Sequence, residues 1–171
     1  PALADYPRAC VPHANRAGAI ESTFDVPPTF RFMNFCSNCA HPVDWRVPAG
    51  DTLPRHVGER CGTVHYVNPK LVVGAIVECG ERVLLCRRAI EPRRGFWTLP
   101  AGFMENGESS AEGAARETWE EACARIEVGQ LLTLIDVPHI NQVHLMYRAR
   151  LLGGAFAAGD ESLEVALFAE H

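Results

Sequence analysis

The chain has 171 residues, of which 47% are apolar and 22% charged. These are the proportions of one globular domain with a small module beside it. A net charge of -5 excludes the basic footprint of a general nucleic-acid binder, and no apolar run reaches the roughly 18–20 residues that span a bilayer. The seven cysteines are odd in number and scattered, which argues against a disulfide framework and for a cytoplasmic protein. The N-terminus has no basic stretch followed by an apolar core, so a secretory signal is not expected.

Residues 1–32 are rich in proline and carry no periodic apolar pattern, so a loosely ordered extension is expected there, with Met33 as the natural start. Residues 36–65 read as short strands and turns around Cys36-x2-Cys39 and Cys61. "KLVVGAIVEC" (70–79) and "RVLLCRR" (82–88) are β-branched, apolar and separated by Gly80-Glu81, a hairpin pattern. Cys79 and Cys86 in these strands read as plain core thiols. Residues 93–103 form a loop punctuated by Gly and Pro. Residues 109–124 predict a helix. Two strands follow at 125–137 and 141–152, broken at Pro138. Residues 153–162 are a loop, and "LEVALF" (163–168) is a short strand or the start of a helix.

The helix carries the chemistry. Ser109 followed by Glu112 is a capping-box pattern that marks its first turn. At 100° per residue, Gly113, Glu117, Glu120 and Glu121 share one face. Ala111, Ala115, Thr118, Trp119 and Ala122 share the other, which is expected to dock on a sheet. Like charges three and four residues apart destabilise a helix by about 0.2–0.5 kcal/mol per pair. A hard divalent cation reverses that sign, and Mg²⁺ takes carboxylates together with the phosphate oxygens of a substrate.

The full spacing is Gly102-x5-Glu108-x7-Arg116-Glu117-Thr118-x-Glu120-Glu121-x-Cys123-Ala124, preceded by "WTLPAGFME". It resembles the signature of the Nudix hydrolases, G-x5-E-x7-R-E-U-x-E-E-x-G-U, and the resemblance extends over about residues 67–168. It implies an α+β fold, an α/β/α sandwich around a mixed β-sheet. It also implies metal-dependent cleavage of a pyrophosphate in a nucleotide derivative. Carried over residue by residue, Glu117, Glu120, Glu121 and the Gly102 carbonyl would hold Mg²⁺ or Mn²⁺. Arg116 would orient a neighbouring glutamate, and Glu108 would support the loop. Many relatives recruit one more acid near the C-terminal end, for which Glu164 is the first candidate and Glu161 the second. Arg93 and Arg94 are favoured over Arg87 and Arg88 as phosphate contacts, because they sit on the loop entering the box. Two positions depart from the signature: Cys123 stands at the box glycine, and Thr118 where an aliphatic residue is common.

Cys36, Cys39 and Cys61, with the Pro- and Gly-rich spacer between them, resemble the zinc ribbon attached to one Nudix subgroup. Position 58, where that pattern has cysteine, is Gly58. Three outcomes stay open for Zn²⁺: a nitrogen from His41, His56 or His65 completes the site, water or an outside group completes it, or the metal is lost. The expected organisation is an extension at 1–32, a ribbon-like module at 33–66 and a C-terminally short Nudix domain at 67–171.

Ribbon-bearing members include NADH pyrophosphatases, whose further motif SQPWPFPxS is absent here. "INQVHLMYRARL" (140–151) looks more like the ADP-ribose and FAD pyrophosphatase group. The expected partner is a small-molecule nucleotide, neither a nucleic acid nor a membrane, with a homodimer as one expected assembly. The alternatives are NADH or nucleoside triphosphate cleavage, or a non-catalytic nucleotide-binding regulator. Phe96, Trp97 and Tyr147 are candidates for stacking on adenine or flavin.

Overall fold

The structure, a computed structural model, describes residues 33–169; the expected extension at 1–32 lies outside the described residues. The described residues fall into two compact units that divide between His65 and Tyr66.

The first unit is a small antiparallel sheet of β1 (Val43–Arg46), β2 (Arg55–Gly58) and β3 (Val64–His65), in that order. Before β1 the chain makes a tight knuckle. Ala40 N–H donates to the Cys36 carbonyl at 2.8 Å, and Cys36 N–H donates to His41 O at 2.7 Å.

The second unit is built on β4 (Lys70–Cys79) and β5 (Arg82–Arg88), joined at Gly80-Glu81 with Gly80 at φ 63°. Short strands β6 (Trp97–Thr98) and β7 (Ala101–Phe103) pair with β5 and β4 respectively. Helix α1 (Ser110–Ala122) follows, then β8 (Ile126–Val137), a 3-10 turn at Pro138–Ile140, β9 (Gln142–Leu151) and β10 (Ser162–Ala169). The main sheet runs β10-β5-β4-β9-β8. Only β4 and β9 pair in parallel, so the sheet is mixed, as expected. "LEVALF" resolves as strand, because β10 finds a partner along the whole of β5.

β4 is the central strand, and its apolar run follows from that place. A strand covered on both faces cannot alternate with polar residues. Val73, Ala75 and Val77 are fully buried in it. The main core gathers Ala75, Val77, Leu84, Cys86, Ala122, Ala124, Ala149 and Leu151, so Cys86 is a core thiol. Burial pushes it up to about 12, which keeps it uncharged.

Helix α1 begins as its capping box dictates. Ser109 Oγ accepts from Glu112 N–H, and the Glu112 carboxylate accepts from Ser109 N–H at 2.8 Å. Its docking face is rotated from the expected one. The buried residues are Gly113, Ala114, Glu117, Thr118, Glu121 and Ala122, while Trp119 stays half exposed. Small residues set this rotation. A Cβ on Gly113 would lie 2.8 Å from Val73 Cγ2, so the missing side chain lets the helix press on β4. Thr118 is fully buried, yet its hydroxyl donates to Ala114 O at 2.8 Å, so the polar atom in the aliphatic position is satisfied within the helix.

Cys123 caps α1 in the left-handed region, at φ 47° and ψ 28°, with its N–H donating to Trp119 O. A non-glycine residue there costs about 1–2 kcal/mol. Glycine removes that cost but loses more entropy on folding. Cys123→Gly is therefore expected to raise stability by about 0.5–1 kcal/mol. A thermal melt reads this as a rise of about 1–4 °C; an unchanged or lower Tm would contradict it.

Candidate active site

The acidic helix face, the β6–β7 loop and the loop before β10 enclose one cleft of about 1300 Å³ within the second unit. Its floor holds Glu117 and Glu121, only 9% and 6% exposed, while Glu120 stands at the rim with its side chain about half exposed. Gly102 lies directly against Glu117. A Cβ at position 102 would sit 2.3 Å from Glu117 Oε2, so any other residue would displace the carboxylate. Glu121 Oε2 accepts from Ala101 N–H at 3.3 Å.

Arg116 binds the acids together. Its guanidinium donates to both Glu108 oxygens at 3.0 and 2.8 Å, to Glu117 Oε1 at 2.8 Å, to Glu120 Oε2 at 2.8 Å and to Phe103 O at 3.0 Å. The guanidinium therefore titrates well above its usual range, chiefly through its bonds to Glu108. Glu108 in turn accepts from Glu105 N–H at 2.7 Å. Its carboxyl is held down at about 2, first by Arg116. Loop, helix and arginine thus form one charge-assisted network.

Arg116, with Arg88 acting on Glu121 from the cleft wall, does not balance the buried acids. Burial raises Glu117 above the ordinary carboxylate range and pushes Glu121 up to about 7, with neighbouring carboxylates adding to both. Like charges gathered in a partly dry site favour protonation or a counter-ion. The donors are all oxygen, two are buried carboxylates, and they open into a cleft. Oxygen donors of this kind are those that a hard divalent cation such as Mg²⁺ or Mn²⁺ takes.

The expected residues outside the helix divide. Glu164 is on β10 opposite Arg87, with which it makes a 3.6 Å ion pair, and it does not line the cleft. Glu161 does line it, close enough to raise both Glu117 and Glu121. The cause is the loop before β10. Ala157 N–H donates to Ala122 O at 2.9 Å and Gly159 N–H to Glu121 O at 3.0 Å. These bonds satisfy open carbonyls at the helix C-terminus. A Cβ on Gly159 would lie 1.7 Å from Glu120 O, so only glycine allows this approach, and it delivers Glu161 to the acids.

Among the arginines, Arg93 and Arg88 line the cleft, whereas Arg94 and Arg87 do not. Arg88 reaches the cleft because period-two alternation on β5 puts it on the same side as buried Leu84 and Cys86. That signal was available in the sequence. Phe96 and Trp97 line the cleft as well. Tyr147 does not: its hydroxyl lies 2.5 Å from Ser110 Oγ, at the start of the helix.

In the first unit the Sγ atoms of Cys36, Cys39 and Cys61 lie within 4.8 Å of one another. Three converging thiols are a donor set suited to Zn²⁺. Among the described residues, no helix is long and apolar enough to cross a membrane.

Comparison with known proteins agrees with both units. A family model described as Nudix N-terminal, a zinc ribbon, matches residues 34–67, and the NUDIX domain model matches residues 68–169. The chain is 31% identical over 109 residues to an ADP-ribose pyrophosphatase of Methanocaldococcus jannaschii, covering 60% of this chain and 63% of that protein. It is 31% identical over 167 residues to an NAD-capped RNA hydrolase of Chromobacterium violaceum, covering 96% of this chain and 58% of that protein. The chain thus spans about six-tenths of the length of these relatives. A solved NUDIX hydrolase from Nitrosomonas europaea is 56% identical, with a TM-score of 0.78 over 81% of this chain and 78% of that one. The domain match alone takes in more than half of the residues, and it contains the acidic helix, Gly102 and the cleft: the chain belongs to the NUDIX family.

Proposed function

We propose that this protein is a divalent-metal-dependent pyrophosphohydrolase that splits ADP-ribose, or a similar nucleoside diphosphate linked to a second moiety such as FAD, into AMP and the other monophosphate. The observation that carries the reading is the pair of buried, undercompensated glutamates, Glu117 and Glu121, packed against Gly102 and opening into a cleft large enough for a dinucleotide-sized ligand.

In this reading Glu117, Glu120, Glu121 and the Gly102 carbonyl hold Mg²⁺ or Mn²⁺. The bound cation supplies Lewis-acid polarisation of a phosphoryl oxygen and offsets the charge of the pyrophosphate. Arg116 keeps Glu117 and Glu120 in fixed rotamers, and Glu108 keeps the loop closed over the helix. Arg88 and Arg93 meet phosphate oxygens at the cleft wall. Glu161, which lines the cleft, would accept the proton of the attacking water. The water oxygen bonds to one phosphorus, the bridging P–O bond breaks, and the second phosphate leaves with the bridging oxygen. Phe96 and Trp97 offer ring faces to the adenine. Trp97 is braced edge-on against Phe168, with centroids 4.7 Å apart, a rigid placement suited to stacking.

A second reading, cleavage of an NAD-type pyrophosphate free or at an RNA end, is favoured by the relative that aligns with 96% of the chain. The missing SQPWPFPxS segment speaks against it. The test is kcat/KM with fixed Mg²⁺ across ADP-ribose, FAD, NADH, NAD-capped RNA and dNTPs, following AMP or the equivalent product. ADP-ribose or FAD is expected to lead. A tenfold or larger preference for dNTPs, about 1.4 kcal/mol, would overturn the proposal. The same margin for NADH or the capped RNA would establish the second reading.

A further inference from the structure

We propose that His65 supplies the fourth ligand of a Cys₃His zinc site in the first unit, in place of the side chain that Gly58 lacks. This rests on the cysteine cluster and is independent of the proposed catalytic activity.

Position 58 points into the cluster. A Cβ built on Gly58 would lie 2.9 Å from Cys61 Sγ and 3.0 Å from Cys36 Sγ. A cysteine there would be the natural fourth donor, and glycine leaves that corner without one. The β2–β3 ladder shows which neighbour reaches it. His56 faces His65 and Val57 faces Val64, and Gly58 N–H donates to Thr63 O at 2.9 Å. By alternation, positions 56, 58, 63 and 65 project to the same side of the ladder. His65 is therefore the diagonal neighbour of Gly58. Diagonal positions lie about 7–8 Å apart, a gap that long or aromatic side chains cross. The imidazole does cross it: His65 Nε2 stands 3.1 Å from Cys36 Sγ, and Cys36 Sγ stands 3.5 Å from Cys61 Sγ.

The other two histidines are engaged differently. His41 has Nδ1 at 2.8 Å from Cys39 O and Nε2 at 3.2 Å from an Arg60 nitrogen. The buried His56 ring packs on Trp45, with centroids 4.6 Å apart. Among the described residues, His65 is the one of the three with a ring nitrogen shown against a thiol of the cluster. Three thiolates and one neutral imidazole are a donor set that structural zinc takes; the thiols already lie within 4.8 Å of one another, and the imidazole, which reaches Cys36, closes on the other two as the metal binds.

The experiment uses the full chain, purified and loaded with Zn²⁺. X-ray absorption at the zinc edge of the wild type is expected to give three sulfurs at about 2.3 Å and one nitrogen at about 2.0–2.1 Å with imidazole scattering. This readout does not depend on any variant folding. Competition with a chromophoric chelator is expected to show His65→Ala binding zinc at least about tenfold more weakly, since even groups behind a ligand are worth 10–100-fold. His41→Ala is expected to bind as the wild type does, and Gly58→Cys added to His65→Ala to restore the affinity. The proposal is overturned by a shell of three sulfurs and a water oxygen, by a protein that takes up no zinc, or by unchanged affinity in His65→Ala.

Discussion

Glu121→Gln is expected to lower kcat by about 10³-fold or more while the protein stays folded. The side chain is buried beside Glu117 and bonded to Ala101 N–H, so an amide of nearly the same shape keeps the packing. What it loses is a full negative charge at the proposed cation site. Removing even one preorganised electrostatic contact to a transition state costs about 10²–10³-fold, and the direct metal ligand proposed here would be worth at least that. Without divalent cations the variant carries a second signature. Glu121 titrates near 7 in the folded state through burial, above its ordinary value of 4.5. A raised carboxyl pKa favours the folded state below the ordinary value and loses that contribution as pH rises through the folded one. The metal-free wild type should therefore lose stability relative to Glu121→Gln between about pH 4.5 and 7, and added Mg²⁺ should close the gap. Steady-state rates and denaturant titrations at several pH values check both parts. Wild-type turnover in the variant would mean that the buried acids do not handle the cation.

Arg116→Ala is expected to cost both stability and activity, the reverse of the isosteric acid substitution. The arginine makes five hydrogen bonds to Glu108, Glu117, Glu120 and Phe103 O. Its loss leaves three carboxylates facing one another. Breaking one side of a buried ion pair costs about 3–5 kcal/mol. Here the guanidinium is 28% exposed and Glu120 about half exposed, so solvent screening reduces the figure to about 2–3 kcal/mol. The expected fall in Tm is about 4–12 °C. Arg116→Lys keeps the charge but not the planar fork, so it should recover only part of the loss. Millimolar Mg²⁺ should restore some of the lost Tm in Arg116→Ala, since a cation offsets the same repulsion. Equal melting temperatures in wild type and Arg116→Ala would show that the network is a surface arrangement with no energetic weight.

What the sequence determined by itself is the set of features held within a few residues of one another. The Ser109–Glu112 box marks the helix start, Gly80-Glu81 turns the hairpin, and Pro138 breaks the strand pair, because each is a local hydrogen-bonding or backbone constraint. The spacing from Gly102 to Glu121 by itself places the acids on one helix. Tertiary structure decided the rest. Glu161 rather than Glu164 reaches the cleft because the loop before β10 bonds to the end of α1 and β10 then pairs Glu164 with Arg87. Trp119 stays half exposed because Gly113 and Ala114 let the helix settle on β4 along its small side. His65 touches the thiol cluster because the β2–β3 hairpin packs against the Cys36 knuckle, 29 positions away in the chain. Such placements depend on which segments far apart in the chain come to pack on one another, and residues adjacent in the sequence carry no constraint on that.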